Sequence, residues 1–275
     1  MKTYNIKWIK PSVLVCVGVF ALATAARAQS TLSASYSFEG GDWGSSDWSM
    51  VGNALYANDG ALTPAHRLRL TSNNFYQNGA AWLNTTAVNP TTDWTWTMRG
   101  ENSFPNGGSI WADETSMILQ TAGASANVGT GAFDGSGLGT YVAVVLDNFS
   151  SLPNNLVEVY TSSGGLIGSF SVGSYLDRGD YYNCTATYTA ATDNLYVDFK
   201  SDAGSDITDN FTVDLAALFA SDDYATLGFG GSTGADGSNH DIVDTSFTMD
   251  VPEPGTLALA SLGGLGLLLF RRRKS

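Results

Sequence analysis

The residues best placed to do chemistry lie together in residues 227–247, LGFGGSTGADGSNHDIVDTSF. A short apolar strand leads into a loop dense in Gly, Ser, Asp and Asn, and a second alternating strand follows. Such loops bend freely and turn backbone and side-chain polar groups outward, which suits the reading of hydroxyl-rich ligands. Hydrolysis of a glycosidic bond asks for more: two carboxylates roughly 5–10 Å apart, flanking that bond. Ahead of the C-terminal tail the Glu residues are Glu39, Glu101, Glu114 and Glu158. None has an acidic residue two positions away in a strand pattern, and Asp222-Asp223 reads as a solvated loop. Binding without catalysis is the expectation. His240 is expected to be a structural loop residue, and Cys184, in a Tyr/Thr-rich strand pattern, a packed small residue.

The elements that must position this loop are strands. Strand patterns recur at 68–71, 95–99, 117–120, 141–146, 156–161, 167–172, 182–188 and 195–200, separated by Gly, Asn, Asp and Ser clusters, the pattern of an all-β fold. Residues 141–146 are nearly continuous in apolar side chains and so are expected at the centre of a sheet. Leu195, Val197 and Phe199 share one face while Tyr196, Asp198 and Lys200 share the other, which predicts one buried and one wet side. Residues 189–194 join the last two strands as a hairpin. No internal repeat or linker interrupts 29–250, and a single two-sheet sandwich is expected.

The ends of the chain read as targeting elements. Residues 1–28 have a Lys-bearing start, a short apolar run and Ala26-Arg27-Ala28, the pattern of a cleaved signal peptide. Residues 251–275 carry Val251-Pro252-Glu253-Pro254, an apolar run over 256–270 and Arg271-Arg272-Arg273-Lys274. A positive cluster behind an apolar run holds that end in the cytoplasm. The three parts resemble the PEP-CTERM sorting tail of Gram-negative bacteria, which implies an exosortase-type sorting enzyme as partner. The 29–250 region is then exported across the inner membrane to the cell surface or beyond, with membrane contact only through residues 255–270. Residues 29–252 hold 5 Lys or Arg against 25 Asp or Glu. That charge repels phosphate backbones and anionic lipid, so nucleic acid is not an expected partner. Cys184 alone remains after signal removal, so no intrachain disulfide can form.

Seven blocks, in order, resemble the legume-type (L-type) lectins. They are Trp48-Ser49-Met50-Val51-Gly52-Asn53-Ala54 with Leu68-Arg69-Leu70-Thr71; Gly79-Ala80-Ala81-Trp82, similar to a turn of the family; Ala112-Asp113-Glu114-Thr115-Ser116-Met117-Ile118-Leu119-Gln120; Gly135-Ser136-Gly137-Leu138-Gly139; Val142-Ala143-Val144-Val145-Leu146-Asp147-Asn148-Phe149; Val213-Asp214-Leu215; and Gly228-Phe229-Gly230-Gly231-Ser232-Thr233-Gly234 with His240 and Ser246-Phe247. The resemblance implies a single-domain, concanavalin A-like jelly roll with four loops at one end around a shallow sugar site. By position, Asp113 would accept hydrogen bonds from two sugar hydroxyls. Gly135 and Ser136 would bring backbone N–H groups to the ligand, and Phe149 would stack on a pyranose face. Ala235 and Asp236 would set the sugar preferred. The residues themselves leave plainer roles open: a strand-end turn at Asp113, a surface loop at 135–139, a core position for Phe149.

The family also binds Ca²⁺ and a transition metal. At the places of the transition-metal ligands this chain has Val145, Asp147, Leu152 and Leu156, so that metal is not expected. Calcium stays open, with oxygens from Asp147, the Phe149 carbonyl and Ser151, and more from Asn154 or Asn155. In the family the bond matching Ala112-Asp113 is cis, and the Gly that follows is Glu114 here, a bulky charge. The function expected is a secreted, non-enzymatic carbohydrate-binding protein recognising glycan or exopolysaccharide. The alternatives are a matrix or adhesion protein of the biofilm that keeps the fold without the sugar, and a glycoside hydrolase.

Overall fold

The computed structural model describes residues 30–39, 46–58, 66–103, 113–149, 155–172, 180–202, 204–222 and 224–251. The signal-peptide residues, the tail beyond Val251, Ala112 and Ser151 lie outside them. Leu32–Met249 forms one compact unit; of the second, Met1–Thr31 with Asp250–Ser275, residues 30, 31, 250 and 251 are described, as strand.

In chain order the strands are β1 (Ser30–Ser37), β2 (Trp48–Gly52), β3 (Leu55–Asn58), β4 (His66–Thr71), β5 (Asn78–Val88), β6 (Trp94–Ser103), β7 (Glu114–Gln120), β8 (Tyr141–Asp147), β9 (Leu156–Thr161), β10 (Gly165–Ser171), β11 (Tyr181–Thr189), β12 (Asn194–Ser201), β13 (Asp206–Thr212), β14 (Ala225–Ser232) and β15 (Asn239–Val251). One sheet runs β13-β12-β11-β6-β15-β4-β3 with β1 on β15, and the other runs β10-β9-β8-β7-β14-β5-β2. The paired strands are antiparallel. A single helical turn, α1 (Leu215–Leu218), is capped by Asp214, whose carboxylate accepts from the Ala217 N–H. The expected all-β sandwich is what forms.

Between the sheets Phe229 stacks on Trp48, with ring centroids 5.7 Å apart, and lies 5.3 Å from Trp96. The Trp96 Nε1–H donates to the Thr245 hydroxyl at 3.0 Å, so the ring is buried without orphaning its polar atom. A second apolar layer lies on the other face of the seven-stranded sheet. There the long β7–β8 connection, residues 121–140, lays Ala126, Val128, Phe133 and Leu138 over Trp82, Ile118, Ala143 and Val145. Trp82 donates to the Ala126 carbonyl at 2.7 Å and ties the connection down. Both faces of β7 and β8 are therefore covered, and every residue of the two strands is buried. This accounts for the unbroken apolar run of 141–146, since a strand buried on both sides loses its alternation. The β11–β12 hairpin turns through a 3₁₀ turn, Ala190–Thr192, and β12 buries Leu195, Val197 and Phe199 as its alternation requires.

Two features depart from the sequence reading. Gly79-Ala80-Ala81-Trp82 is the interior of β5, not a turn, and Gly79 is glycine because a side chain there would stand 1.9 Å from the Leu70 carbonyl oxygen of β4. β14 is a strand rich in glycine for the same reason. A side chain at Gly228 would stand 2.2 Å from the Ala81 carbonyl oxygen. Arg67 and Arg69, flanking Leu68 on β4, turn inward. They are buried with Glu101 and Asp241 across β4, β6 and β15. Arg69 grips Asp241 through two bonds of 2.7 and 2.8 Å, and Arg67 bonds Glu101 at 2.5 Å. Burial is the main force raising the Glu101 carboxyl, with Arg67 opposing it.

Candidate functional site

Asp113 sits one residue ahead of β7 and extends both of its ladders. Its N–H donates to the Ser232 carbonyl at 2.9 Å, and its carbonyl accepts from the Asn148 N–H at 2.8 Å. The ends of β14 and β8 are thereby brought to either side of it. The carboxylate lies in a notch lined by glycine. Oδ2 is 2.6 Å from where a Gly234 side chain would begin and 4.0 Å from that of Gly131, whose φ of +79° suits glycine. Asp113 is 7% exposed, and its Oδ2 is buried without a hydrogen-bond partner. Burial, then the charges of Asp147 and Asp236, push its pKa up to about 6, against the pull of the Gly234 N–H. A buried acceptor left without a donor is costly, and it is the group a ligand hydroxyl can satisfy.

Next to it, Glu114, which reads in the sequence as a bulky charge, is buried rather than projecting. It pairs across the ladders with Asp147 on one side and Ser232 on the other and is 4% exposed. Burial raises its pKa well above the ordinary value, with the Phe133 N–H opposing. Ser232 donates to the Gly131 carbonyl at 2.6 Å, which holds the glycine of the 121–140 connection beside Asp113.

The structure brings several expected site residues to one rim. Asp147 Oδ1 accepts from the Phe149 N–H at 2.8 Å, and Phe149 is 42% exposed. Ala235 is exposed and Asp236 half-buried, close enough for the latter's charge to act on Asp113. Gly135 and Ser136 are occupied otherwise. Gly135 packs on Tyr141, where a side chain would meet the ring at 2.2 Å, and the Ser136 N–H donates to Asp134 Oδ1 at 2.8 Å. From this connection it is Gly131, unremarked in the sequence, that faces Asp113. A lone GTG within a polar loop carried no signal for it. His240 is buried in β15 with both ring nitrogens engaged, Nδ1 to Thr71 Oγ1 and Nε2 to Ser238 Oγ, each at 2.8 Å. Burial drops its pKa to about 3, so it stays neutral and structural. Cys184 is likewise buried, its thiol pushed up to about 12.

For metals, Val145 is fully buried in the apolar layer beneath the 121–140 connection and cannot ligate. Among the described residues no group of three or more His, Cys, Asp or Glu could hold a metal ion. At the same rim, however, the side chains of Asn148 and Asn155 are 2% and 1% exposed with every polar atom unpartnered. Each sits one step beyond the Asp147–Leu156 ladder pair. These are oxygen donors, which suit calcium better than a transition metal.

The fold is that of the legume lectins. The chain superposes on a basic winged bean lectin with Tn-antigen (18% identity, TM-score 0.64, covering 80% of this chain and 98% of that one). It superposes also on a Lotus tetragonolobus seed lectin (19%, 0.64, covering 81% and 100%) and on the metal-free form of a Griffonia simplicifolia lectin (16%, 0.62, covering 79% and 99%). Residues 250–274 match the PEP-CTERM protein-sorting motif, which indicates export and sorting to the cell surface. No curated protein matches the chain. No helix among the described residues is long and apolar enough to cross a membrane; residues 255–270 lie outside them.

Proposed function

We propose that this is a secreted or surface-associated carbohydrate-binding protein, non-enzymatic, that recognises glycan or exopolysaccharide at the Asp113 rim. The observation that carries the reading is the unpartnered Oδ2 of the Asp113 carboxylate in its Gly131–Gly234 notch, with Phe149 exposed one residue past Asn148, which bonds the Asp113 backbone. A carboxylate accepts strongly from vicinal hydroxyls, and an aromatic ring covers the apolar face of a sugar. Asp236 and Ala235 would select among sugars at the edge. The ligands of several structural neighbours support the class: their structures hold galactose, methyl-α-D-galactose and GalNAc.

In the same reading residues 1–28 are a cleaved signal peptide, 29–250 the lectin-like domain and 251–275 a segment handed to an exosortase-type enzyme. Calcium is the cation the rim suits, with Asp147, the Phe149 carbonyl and Ser151 as ligands and the Asn155 amide oxygen beside them. A glycan array probed with the full chain tests the whole proposal. Binding to defined glycans, lost in Asp113→Asn, supports it; no binding to any glycan, with or without calcium, ends it.

A second reading has its own observation. Val145 stands buried where the family has an acidic metal ligand, so the sandwich holds together there by apolar packing. A matrix or adhesion protein that keeps the fold and not the sugar would show this. It would alter biofilm cohesion while leaving the array blank.

A further inference from the structure

The turn between β4 and β5, residues 72–77, carries the most exposed aromatic pair of the described chain: Phe75 at 63% and Tyr76 at 71%. Exposed aromatics on a loose loop would mean little. This turn is not loose. The Tyr76 N–H donates to the Gly234 carbonyl at 2.9 Å, and Thr233 exchanges backbone and side-chain bonds with Gln77 and Asn74 at 2.8–2.9 Å. Asn73 N–H donates to Asn239 Oδ1 at 2.8 Å, and Ser72 N–H to Gln77 Oε1 at 2.7 Å. Gly237 has no room for a side chain, since Asn74 N would stand 2.7 Å from it. Tyr76 is held at φ 54°, in the left-handed region that a bulky residue rarely adopts. Strain of that kind persists where the surroundings over-determine it, often at ligand sites.

The residue to which Tyr76 is fastened, Gly234, is the one against which the Asp113 carboxylate lies. Phe149 follows Asn148, whose N–H is bonded to Asp113 from the other side. Backbone hydrogen bonds thus lead from Asp113 to an exposed aromatic on either side, through Gly234 to Tyr76 and through Asn148 to Phe149, and a sugar held by Asp113 needs only Phe149 to stack on. We propose that Phe75 and Tyr76 form a second subsite, which stacks the neighbouring sugar of an extended polysaccharide chain. The protein then reads chains in preference to single terminal sugars. This rests on the proposed function, because it takes Asp113 as the anchor of the first sugar.

The test uses the full chain on an array carrying galactose, N-acetylgalactosamine, glucose and mannose, each as a monosaccharide and within longer chains. The variants are Tyr76→Asn, Phe75→Ala and Asp113→Asn. Asn tolerates the left-handed backbone while removing the ring. Phe75 has no positive φ, so its variant reads the same loss if Tyr76→Asn disturbs folding. Tyr76→Asn and Phe75→Ala are expected to keep monosaccharide binding and to weaken chain binding about 3- to 10-fold. Asp113→Asn is expected to lose both. Equal losses on single sugars and chains, or no loss on chains, overturn the subsite and leave the Asp113 reading standing. So does a wild-type dimer that Phe75→Ala dissociates with glycan binding unchanged, which would make the pair a self-association face. A wild type that binds no carbohydrate overturns both.

Discussion

Gly234 leaves no space for a side chain beside Asp113: its first carbon would stand 2.6 Å from Asp113 Oδ2. The notch exists because position 234 is glycine, and the carboxylate's orientation depends on it. Gly234→Ala must displace either the carboxylate or the β14–β15 loop. Overpacking of this kind costs about 1–3 kcal/mol, and here the carboxylate is the softer partner. We expect glycan affinity to fall at least about tenfold while the melting temperature drops only a few degrees, checked by array binding and calorimetry in parallel.

The raised Asp113 pKa gives two pH dependences of opposite sign. Its folded value of about 6 lies above the ordinary 3.8, so its contribution to stability is fully present below about 4 and is lost as pH rises through 6. Acceptance of ligand hydroxyls needs the ionised form, so glycan affinity should rise over the same interval. Denaturation and binding measured from pH 4 to 8 should show the crossing trends, and Asp113→Asn should flatten both.

His240 sets the acid limit in the other direction. Its folded value of about 3 lies below the ordinary 6.5, so the stability it contributes is full above 6.5 and is lost as pH falls toward 3. Acid unfolding followed by tryptophan fluorescence should begin below about 6.5, and His240→Gln should move its onset downward if the variant retains the Thr71 and Ser238 bonds.

The buried ionic cluster should be the most fragile part of the larger sheet. Removing the Asp241 carboxylate leaves the Arg69 guanidinium buried without its two bonds. Breaking one partner of a buried pair costs about 3–5 kcal/mol. Asp241→Ala is expected to lose that much in urea denaturation, with glycan binding per folded molecule unchanged.

How much of this was legible in the sequence follows the physics of each element. β12 was plain, because Leu195, Val197 and Phe199 alternate with polar residues and one side is wet. β8 was plain for the opposite reason, two covered faces. β5 was misread because Gly79 and Ala80 are small for the sake of close strand approach, and small residues also mark turns. The Arg67–Glu101 and Arg69–Asp241 pairs were invisible, since alternating arginines on a strand normally face water and their partners lie 34 and 172 residues away. At the site, the ordered blocks located Asp113, Asp147, Phe149 and Asp236. Gly131 and the 72–77 turn were not found. Their role comes from hydrogen bonds across distant loops, at Ser232 and Gly234, which leave no pattern in local sequence.

The central claim is that the Asp113 carboxylate accepts ligand hydroxyls. Isothermal titration at pH 8 of the best-binding array glycan into wild type and Asp113→Asn tests it most directly, because the substitution keeps the shape and removes the charge. A hydrogen bond to a charged group is worth about 1.5–3 kcal/mol, so affinity should fall about 10- to 100-fold, with the melting temperature held or raised. Equal affinity in the two proteins would contradict the account.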